Sequence, residues 1–529
     1  MIVWPNQQFQ LIKKPPVNKT LQVSQKEAAG FFRQELFFPA RKPMLQDVSS
    51  QVNCNWQHRE NEFTDFNLQY LIPHEESTRG PKLAVADING DGLDDFYACG
   101  AKFQPGALML QQPNGSFASS DTALFNKDAA CEDVDAVFFD ANGDGFKDLF
   151  VVSGGNERAA DPAYLEDRLY LNNGKGHFTR AVDFMPQMHE TKSCVAAADI
   201  DHDGDTDVFV GNLSGATVYG MPSPSSLLLN DGKAHFARDA QNQRLFDSLG
   251  MVTAASFTDI NKDGWPDLVV SGEFMPIKIF INHKGMFAEN DIPASTGLWQ
   301  TLFTTDVNGD GYADILAGNW GHNSKLWAGK NGPVKMYVKD FDKNGTVEQV
   351  LCYTIDGKEY TFLAKDELER ALPVLKKAYL KYGEVAGKDV QYVFFDLFKD
   401  YREFKAETLS SACFINNGKG GFTQVNLPDE LQLAPVFSFA ASPYQGGQGY
   451  MAAGNFYGVI PYEGRYDALK PTLFGYDTQS KQFMVSAALQ EVNGEARDAK
   501  WVKTAGQPLL LLARNNSSIL FYTPTTAKE

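Results

Sequence analysis

Asp140-Ala-Asn142-Gly-Asp144-Gly-Phe146-Lys-Asp148 decides the fold, because the same nine-residue pattern returns along the chain. It has acidic or amide residues at positions 1, 3, 5 and 9 and glycine at 6. The other copies run Asp87 to Asp95, Asp199 to Asp207, Asp259 to Asp267, Asp306 to Asp314 and, less faithfully, Asp340 to Glu348. At average residue frequencies a chain of this length should hold on the order of a hundredth of one such match. The pattern is therefore a repeat, and its neighbours repeat with it. Short apolar runs precede it (Leu83-Ala-Val-Ala, Ala136-Val-Phe-Phe, Val195-Ala-Ala-Ala, Ala254-Ala-Ser-Phe) and follow it (Leu149-Phe-Val-Val, Val208-Phe-Val-Gly, Leu268-Val-Val-Ser). Bounded by Gly and Asp, such runs read as buried strands.

A third strand ends in an Asn/Gly turn and an aromatic, as in Leu169-Tyr-Leu-Asn-Asn-Gly-Lys-Gly-His-Phe178, Leu227 to Phe236 and Phe414 to Phe422. The unit is strand, loop, strand, strand, turn, strand. Loop starts at 87, 140, 199, 259, 306 and 340 are 53, 59, 60, 47 and 34 residues apart, near the size of a propeller blade. Two further units lack the loop, around Val436-Phe-Ser-Phe and Tyr450-Met-Ala-Ala, and around Arg497 to Val502 and Leu509 to Leu512. The expected fold is all-β: a propeller of seven or eight four-stranded blades. The short final step suggests that two units share strands. The region Glu35–Val48 is expected to supply an outer strand to the last blade, since closure removes exposed sheet edges.

The loop chemistry points to calcium, a hard cation that takes six to eight oxygens. Asp87, Asn89, Asp91 and Asp95 offer side-chain oxygens and Leu93 a backbone carbonyl. The equivalent sets are Asp140, Asn142, Asp144, Phe146 and Asp148; Asp199, Asp201, Asp203, Asp205 and Asp207; and Asp259, Asn261, Asp263, Trp265 and Asp267. Asp306, Asn308, Asp310, Tyr312 and Asp314 follow, then Asp340, Asp342, Asn344, Thr346 and Glu348, where two substitutions predict weaker binding. Five to six Ca²⁺ ions are expected. An EF-hand begins identically but needs a bidentate Glu at position 12. That position holds Ala98, Val151, Val210, Val270, Ala317 and Leu351, so EF-hands are excluded. His202, at the fourth position of its loop, should face solvent.

Composition agrees with a folded protein: 43% hydrophobic and 22% charged residues. The net charge of −18, from 66 acidic and 48 basic residues, disfavours nucleic acid and anionic membranes as partners. Six bound calcium ions would cancel about two-thirds of it. No apolar stretch approaches the ~18 residues of a membrane span, and no signal peptide is visible, so either an export signal lies on a longer parent chain or the protein stays inside. The six cysteines form no CxxC pair and permit either disulfides or buried thiols. Leu368, Leu372, Leu375 and Tyr379 fall at helical spacing with Pro373 between them, predicting a helical insertion over about 363–407.

The loops and their flanking strands resemble FG-GAP/VCBS repeats, found in integrin α-subunit propellers and many secreted bacterial proteins. Residues 1–30, with Val3-Trp-Pro-Asn6 and Val17-Asn-Lys-Thr-Leu21, resemble the tail of an ASPIC/UnbV module, which accompanies such repeats in relatives of cartilage acidic protein. His58-Arg-Glu-Asn, Leu71-Ile-Pro-His, Gly454-Asn-Phe-Tyr-Gly and Gly464-Arg-Tyr-Asp are similar to a VCBS type common in Bacteroidetes. The resemblance makes 31–529 the propeller. It implies an extracellular or cell-surface protein, outer-membrane-associated if bacterial, that binds or scaffolds a protein or glycan. The alternative it leaves is a glycan-active enzyme such as a calcium-dependent polysaccharide lyase, with Lys325, Arg465 and His322 as candidates that no spacing selects. Trp299, Trp320, Trp327, Phe456, Tyr457 and Tyr466 are candidate sugar platforms.

Overall fold

The computed structural model describes residues 1–37, 43–157, 162–215, 217–326, 331–442, 449–460 and 463–525. It divides into two compact units, Met1–Gln46 with Thr525–Glu529, and Asp47–Pro524. The first holds a two-stranded hairpin, Ile2–Val3 with Phe9–Gln10, and a short helix, Gln34–Phe37, whose Phe37 ring meets Phe9 edge-on at 4.7 Å.

The second unit is built from antiparallel sheets, mostly four-stranded, eight among the described residues. The strand after each of the first five loops is buried at every position, as in Asp148–Ser153, Asp207–Ser214 and Asp267–Met275. This explains why these segments read as unbroken apolar runs: a neighbouring sheet covers each face. Outer strands carry polar residues instead, as in Phe236–Arg238 and Met286–Asp291. Seven first strands pack side by side: Leu83–Ala86, Asp133–Phe139, Thr191–Ala198, Met251–Thr258, Thr301–Thr305, Val436–Ala441 and Ala496–Val502. The last of them packs back on the first, closing the circle. At the outer edge of the final sheet the Val48 N–H, from the region 35–48, donates to Phe521 O (2.9 Å). The seventh unit's missing loop, Ser442–Gly449, lies largely outside the described residues.

The eighth sheet lies outside that succession of first strands. Its strands Val334–Lys339, Glu348–Ile355, Lys358–Thr361 and Arg402–Ala406 are inserted between Asp314–Gly318 and Ala412–Asn416, the second and third strands of the fifth sheet. The 34-residue step has its cause here: the fifth unit is interrupted, and the strand ending at Asn416 belongs to it rather than to the sixth. The insertion is only partly helical. Lys365–Ala371, Pro373–Ala378 and Val390–Phe394 are helices, with Pro373 opening the second, but Arg402–Ala406 is a strand paired with Val334–Val338. Leu368, Leu372 and Leu375 are buried in one cluster with Val350 and Leu351 of the inserted sheet.

The second strands also orient the ring. In the five sheets of the ring that carry a loop, this strand begins at the loop's last residue and ends on the opposite side, where the segment 56–82 crosses from sheet to sheet. Asp65 accepts from Asn156, Gln69 from the Tyr219 N–H, Glu76 from the Ser214 hydroxyl, and Glu75 donates its N–H to Gly458. His58 meets Asn515 at 3.0 Å. The loops therefore occupy one face and the crossing segment the other.

Along the innermost strands, Asp135 ties one sheet to the next by accepting the Val195 N–H (3.0 Å). Burial pushes its carboxyl up to about 6, against Lys82, the Val195 N–H and Lys500 and together with Asp498. The native state thus keeps a proton that the unfolded chain releases near 3.8, so this group adds stability as pH falls from about 6 towards 4. Between pH 7 and 5, Asp135→Asn is expected to remove about 1 kcal/mol of that gain, measured by urea unfolding beside the wild type. Equal pH slopes for the two proteins would refute it.

Candidate metal centres

Each loop is a tight coil closed by its own acidic side chains. In the first, Gly90 and Gly92 donate their N–H groups to Asp87 (2.8 and 2.9 Å), Asp91 to Asn89 (3.0 Å) and Leu93 to Asp91 (2.9 Å). The same bonds recur in the second, at Gly143, Gly145, Asp144 and Phe146, and in the fifth, at Gly309, Gly311, Asp310 and Tyr312. The glycine at position 6 is left-handed throughout, from φ +83° at Gly92 to +98° at Gly204. Position 4 is left-handed too, which the sequence pattern did not reveal. It is Gly90, Gly143 and Gly309 in three loops but His202, Lys262 and Lys343 in the others, at φ +60° to +62°. A side chain there costs about 1 kcal/mol. His202 and Lys262 both reach the next loop: His202 stacks on Trp265 (ring centroids 4.0 Å) and Lys262 lies 3.9 Å over Tyr312. His202 is thus exposed, but one face of its ring is covered by a neighbouring loop.

The ninth residue is the buried end of each set. Asp95, Asp148, Asp267 and Asp314 are fully buried, and Asp207 and Glu348 nearly so. Burial pushes their carboxyls up, to about 7 at Asp95, Asp207 and Glu348 and about 6 at Asp148, Asp267 and Asp314. Backbone N–H donors oppose the rise and the other loop carboxylates reinforce it. Among the described residues no lysine or arginine forms a salt bridge with a loop carboxylate. Oxygens of Asp199, Asp201 and Asp207 lie within 4.8 Å of one another, and so do those of Asp340, Asp342 and Glu348. In these two loops Asp199 Oδ1 and Asp342 Oδ1 are buried without a hydrogen-bond partner. A convergent, all-oxygen, anionic donor set with orphaned oxygens fits a hard divalent cation.

One recurrent residue carries more than the sequence suggested. Asn172, read there as a turn residue, donates its N–H to Asp148 (2.7 Å) and its side-chain amide to Lys147 O (3.0 Å) and to Ile88 O (2.8 Å) of the preceding loop. Asn230 does the same for Asp207, Thr206 O and Ala141 O. Asn282 serves Asp267, Pro266 O and Ile200 O, and Asn416 serves Asp314, Ala313 O and Ile260 O. In the first sheet Gln111 takes this place, reaching Asp95, Asp94 O and Lys503 O. These amides stitch consecutive loops together. Asn230→Ala, which strands buried carbonyls, is expected to cost about 2–3 kcal/mol by chemical denaturation; a loss below about 0.5 kcal/mol would remove the stitch.

The aromatic platforms expected for sugars are mostly interior. Trp299, Trp320, Phe456 and Tyr466 are buried, Trp320 packing against Phe456 and Tyr466, because they fill the space inside and between sheets. Trp327 lies outside the described residues. Tyr457 is half-buried under Arg465, 4.7 Å away. His322 is held by the Ser410 hydroxyl (2.7 Å) and Lys325 by Glu463 (2.7 Å). All six cysteines are unpaired, five of them buried, and burial raises the Cys54 thiol to about 11. No helix among the described residues is long and apolar enough to cross a membrane.

The family model of the FG-GAP-like repeat matches residues 87–151, 140–210 and 259–317, so the chain carries FG-GAP-like repeats. A stretch of 215 residues, 40% of the chain, is 25% identical to cartilage acidic protein 1 of Xenopus tropicalis and spans 32% of that protein's length. Among solved structures, an Agrocybe aegerita lectin that recognises non-reducing terminal N-acetylglucosamine is similar over 69% of this chain and 82% of its own (TM-score 0.33, 14% identity). The V. cholerae biofilm matrix protein Bap1 is similar over 92% of this chain and 91% of its own (0.37, 12%). YCF48 bound to D1 peptide is similar over 89% of this chain and 100% of its own (0.40, 8%).

Proposed function

We propose that the protein is a calcium-stabilised binding or scaffold module, a propeller of seven blades that acts outside the cell or on its surface and recognises a protein or glycan. The observation that carries the reading is the repeated, buried carboxylate set without a basic partner, which calcium would neutralise. Five to six ions would sit in the loops on side-chain oxygens of positions 1, 3, 5 and 9 and the carbonyl of position 7. Bound there, calcium supplies charge and rigidity. The chain's own residues do the positioning: the loop N–H groups aim the aspartates, and the Asn stitches carry each loop's geometry to the next.

The loop face is the surface this reading offers a ligand, because the chain itself covers the opposite one. Phe146, Trp265 and Tyr312, at position 7 of three loops, stand on that face, and Phe146 is 45% exposed. Aromatic residues of this kind suit sugar faces and protein hot spots alike. The test is elemental analysis of the purified protein together with binding to a glycan array and to immobilised matrix proteins, with and without Ca²⁺. Five or six calcium ions per chain and a calcium-dependent binder, weakened at least tenfold by Phe146→Ala or Trp265→Ala, would support it. A metal-free protein, or no calcium-dependent binder in either format, would refute it.

A further inference from the structure

The inserted sheet and its helices enclose a cavity of about 240 Å³ whose walls include no loop residue. Its floor is aliphatic, made of the buried Leu363, Leu368, Leu375 and Val393. Its walls are tyrosines from two sides. Tyr353 and Tyr360 are cross-strand partners on the inserted sheet, with ring centroids 6.3 Å apart. Opposite them stand Tyr379, one helical turn beyond Leu375 and therefore on the same side, and Tyr382. The rim residues Ala364, Ala386 and Lys388 are exposed, so the cavity opens to solvent. Packed interiors seldom leave such a hollow, and an open apolar one marks a place of contact.

The surface around the mouth is apolar and basic together. Tyr382 is 53% exposed, Tyr392 50% and Leu380 82%. Tyr392 continues the wall: its ring stacks on Tyr379, its carbonyl accepts the Tyr379 hydroxyl (2.8 Å), and Lys388 Nζ lies 4.8 Å over it. From Pro373 to Lys388 the chain carries Lys376, Lys377, Lys381 and Lys388 against a single acidic residue, Glu384, although the whole protein has a net charge of −18. All four lysines are exposed. Lys365, deeper in the wall, is paired with Glu369, whereas none of these four forms a salt bridge among the described residues.

We propose that the insertion is a docking site for an acidic peptide segment of a partner protein. One bulky apolar side chain of that segment, phenylalanine or leucine, fills the cavity, and the carboxylates beside it meet the lysines. The volume decides the size of the occupant: it falls below the ~300–1,000 Å³ of pockets for drug-sized ligands and suits one side chain. The floor decides its polarity, since sugar hydroxyls pressed on leucine and valine would lose their hydrogen bonds. An apolar anchor in a pocket with charges at its rim is the usual anatomy of a protein contact. The rim charges should speed encounter and make binding weaken with salt. This site goes beyond the calcium loops and the face that carries them.

The test is fluorescence anisotropy with the labelled peptide Glu-Asp-Phe-Asp-Glu, the same peptide with alanine at its centre, and its lysine-flanked counterpart Lys-Lys-Phe-Lys-Lys. Oligogalacturonate serves as the acidic sugar probe. The first peptide is expected to bind, and the other two at least about tenfold more weakly. Ala386→Trp, which places an indole at the exposed rim, and Lys381→Glu/Lys388→Glu, which reverses its charge, should each weaken the first peptide about tenfold. Both variants alter exposed residues only, and two independent changes keep the test valid should one of them fail to fold. No binding of the first peptide, equal binding of all three, undiminished binding by both variants, or binding of oligogalacturonate alone overturns the site. All proteins share one Ca²⁺ buffer, so failure of the loop reading touches wild type and variants alike and is told apart from failure here.

Discussion

Chelation with EDTA is expected to lower the melting temperature by about 10–15 °C, and added Ca²⁺ to restore it. Each loop filled at a hundredfold excess over its dissociation constant adds about 2.7 kcal/mol, so five loops contribute on the order of 13 kcal/mol. Unfolding the roughly 480 residues of the larger unit carries an entropy of about 1 kcal/mol/K, which converts that sum to about 13 °C. The effect is large because, among the described residues, no lysine or arginine forms a salt bridge with a loop carboxylate, and the ninth residue is buried. Mg²⁺, smaller and stricter in its geometry, should restore less. Differential scanning fluorimetry in EDTA, Ca²⁺ and Mg²⁺ reads this directly. A shift under about 2 °C in chelator would mean that the loops are turns closed by their own hydrogen bonds.

The second large effect is expected at Glu273. It ends up fully buried beneath the crossing segment, where His74 Nε2 (2.9 Å), Arg79 (3.3 Å), Gln300 (2.9 Å) and the Tyr219 hydroxyl all point at its two oxygens. Burial alone would raise its carboxyl, but His74 and Arg79 hold it well below the ordinary range. Glu273→Ala leaves these donors around an empty place, and removing one member of a buried charged network costs about 3–5 kcal/mol. The loss should fall on the crossing segment, so amide exchange across residues 56–82 should quicken more than in the loops. Urea unfolding and hydrogen exchange check the two parts. A destabilisation below 1 kcal/mol would mean that the network does not hold the segment. Glu273→Gln, which keeps the shape and two of the hydrogen-bonding roles, should fall between the two proteins.

The loops and their strands were legible in the sequence because everything that defines them is local. Nine residues contain the donors, the left-handed glycine and the closing carboxylate, and the flanking apolar runs follow from burial on both faces. The pattern could not show which sheet the strand ending at Asn416 joins: it matches the repeat wherever it pairs, and pairing with Asp314–Gly318 across an inserted sheet leaves no trace in its own residues. The same holds for Asn172, Asn230, Asn282 and Asn416, which look like turn residues until their amides are seen reaching the preceding loop. His74, Glu273, Arg79 and Tyr219 carry no pattern at all, because the group is assembled from segments of the chain that lie far apart. Local geometry, repeated, determined the units and their candidate metal chemistry. Closure of the ring, which brings distant segments into one low-dielectric interior, decided which sheet is an insertion, which face is covered and where the buried Glu273 network forms.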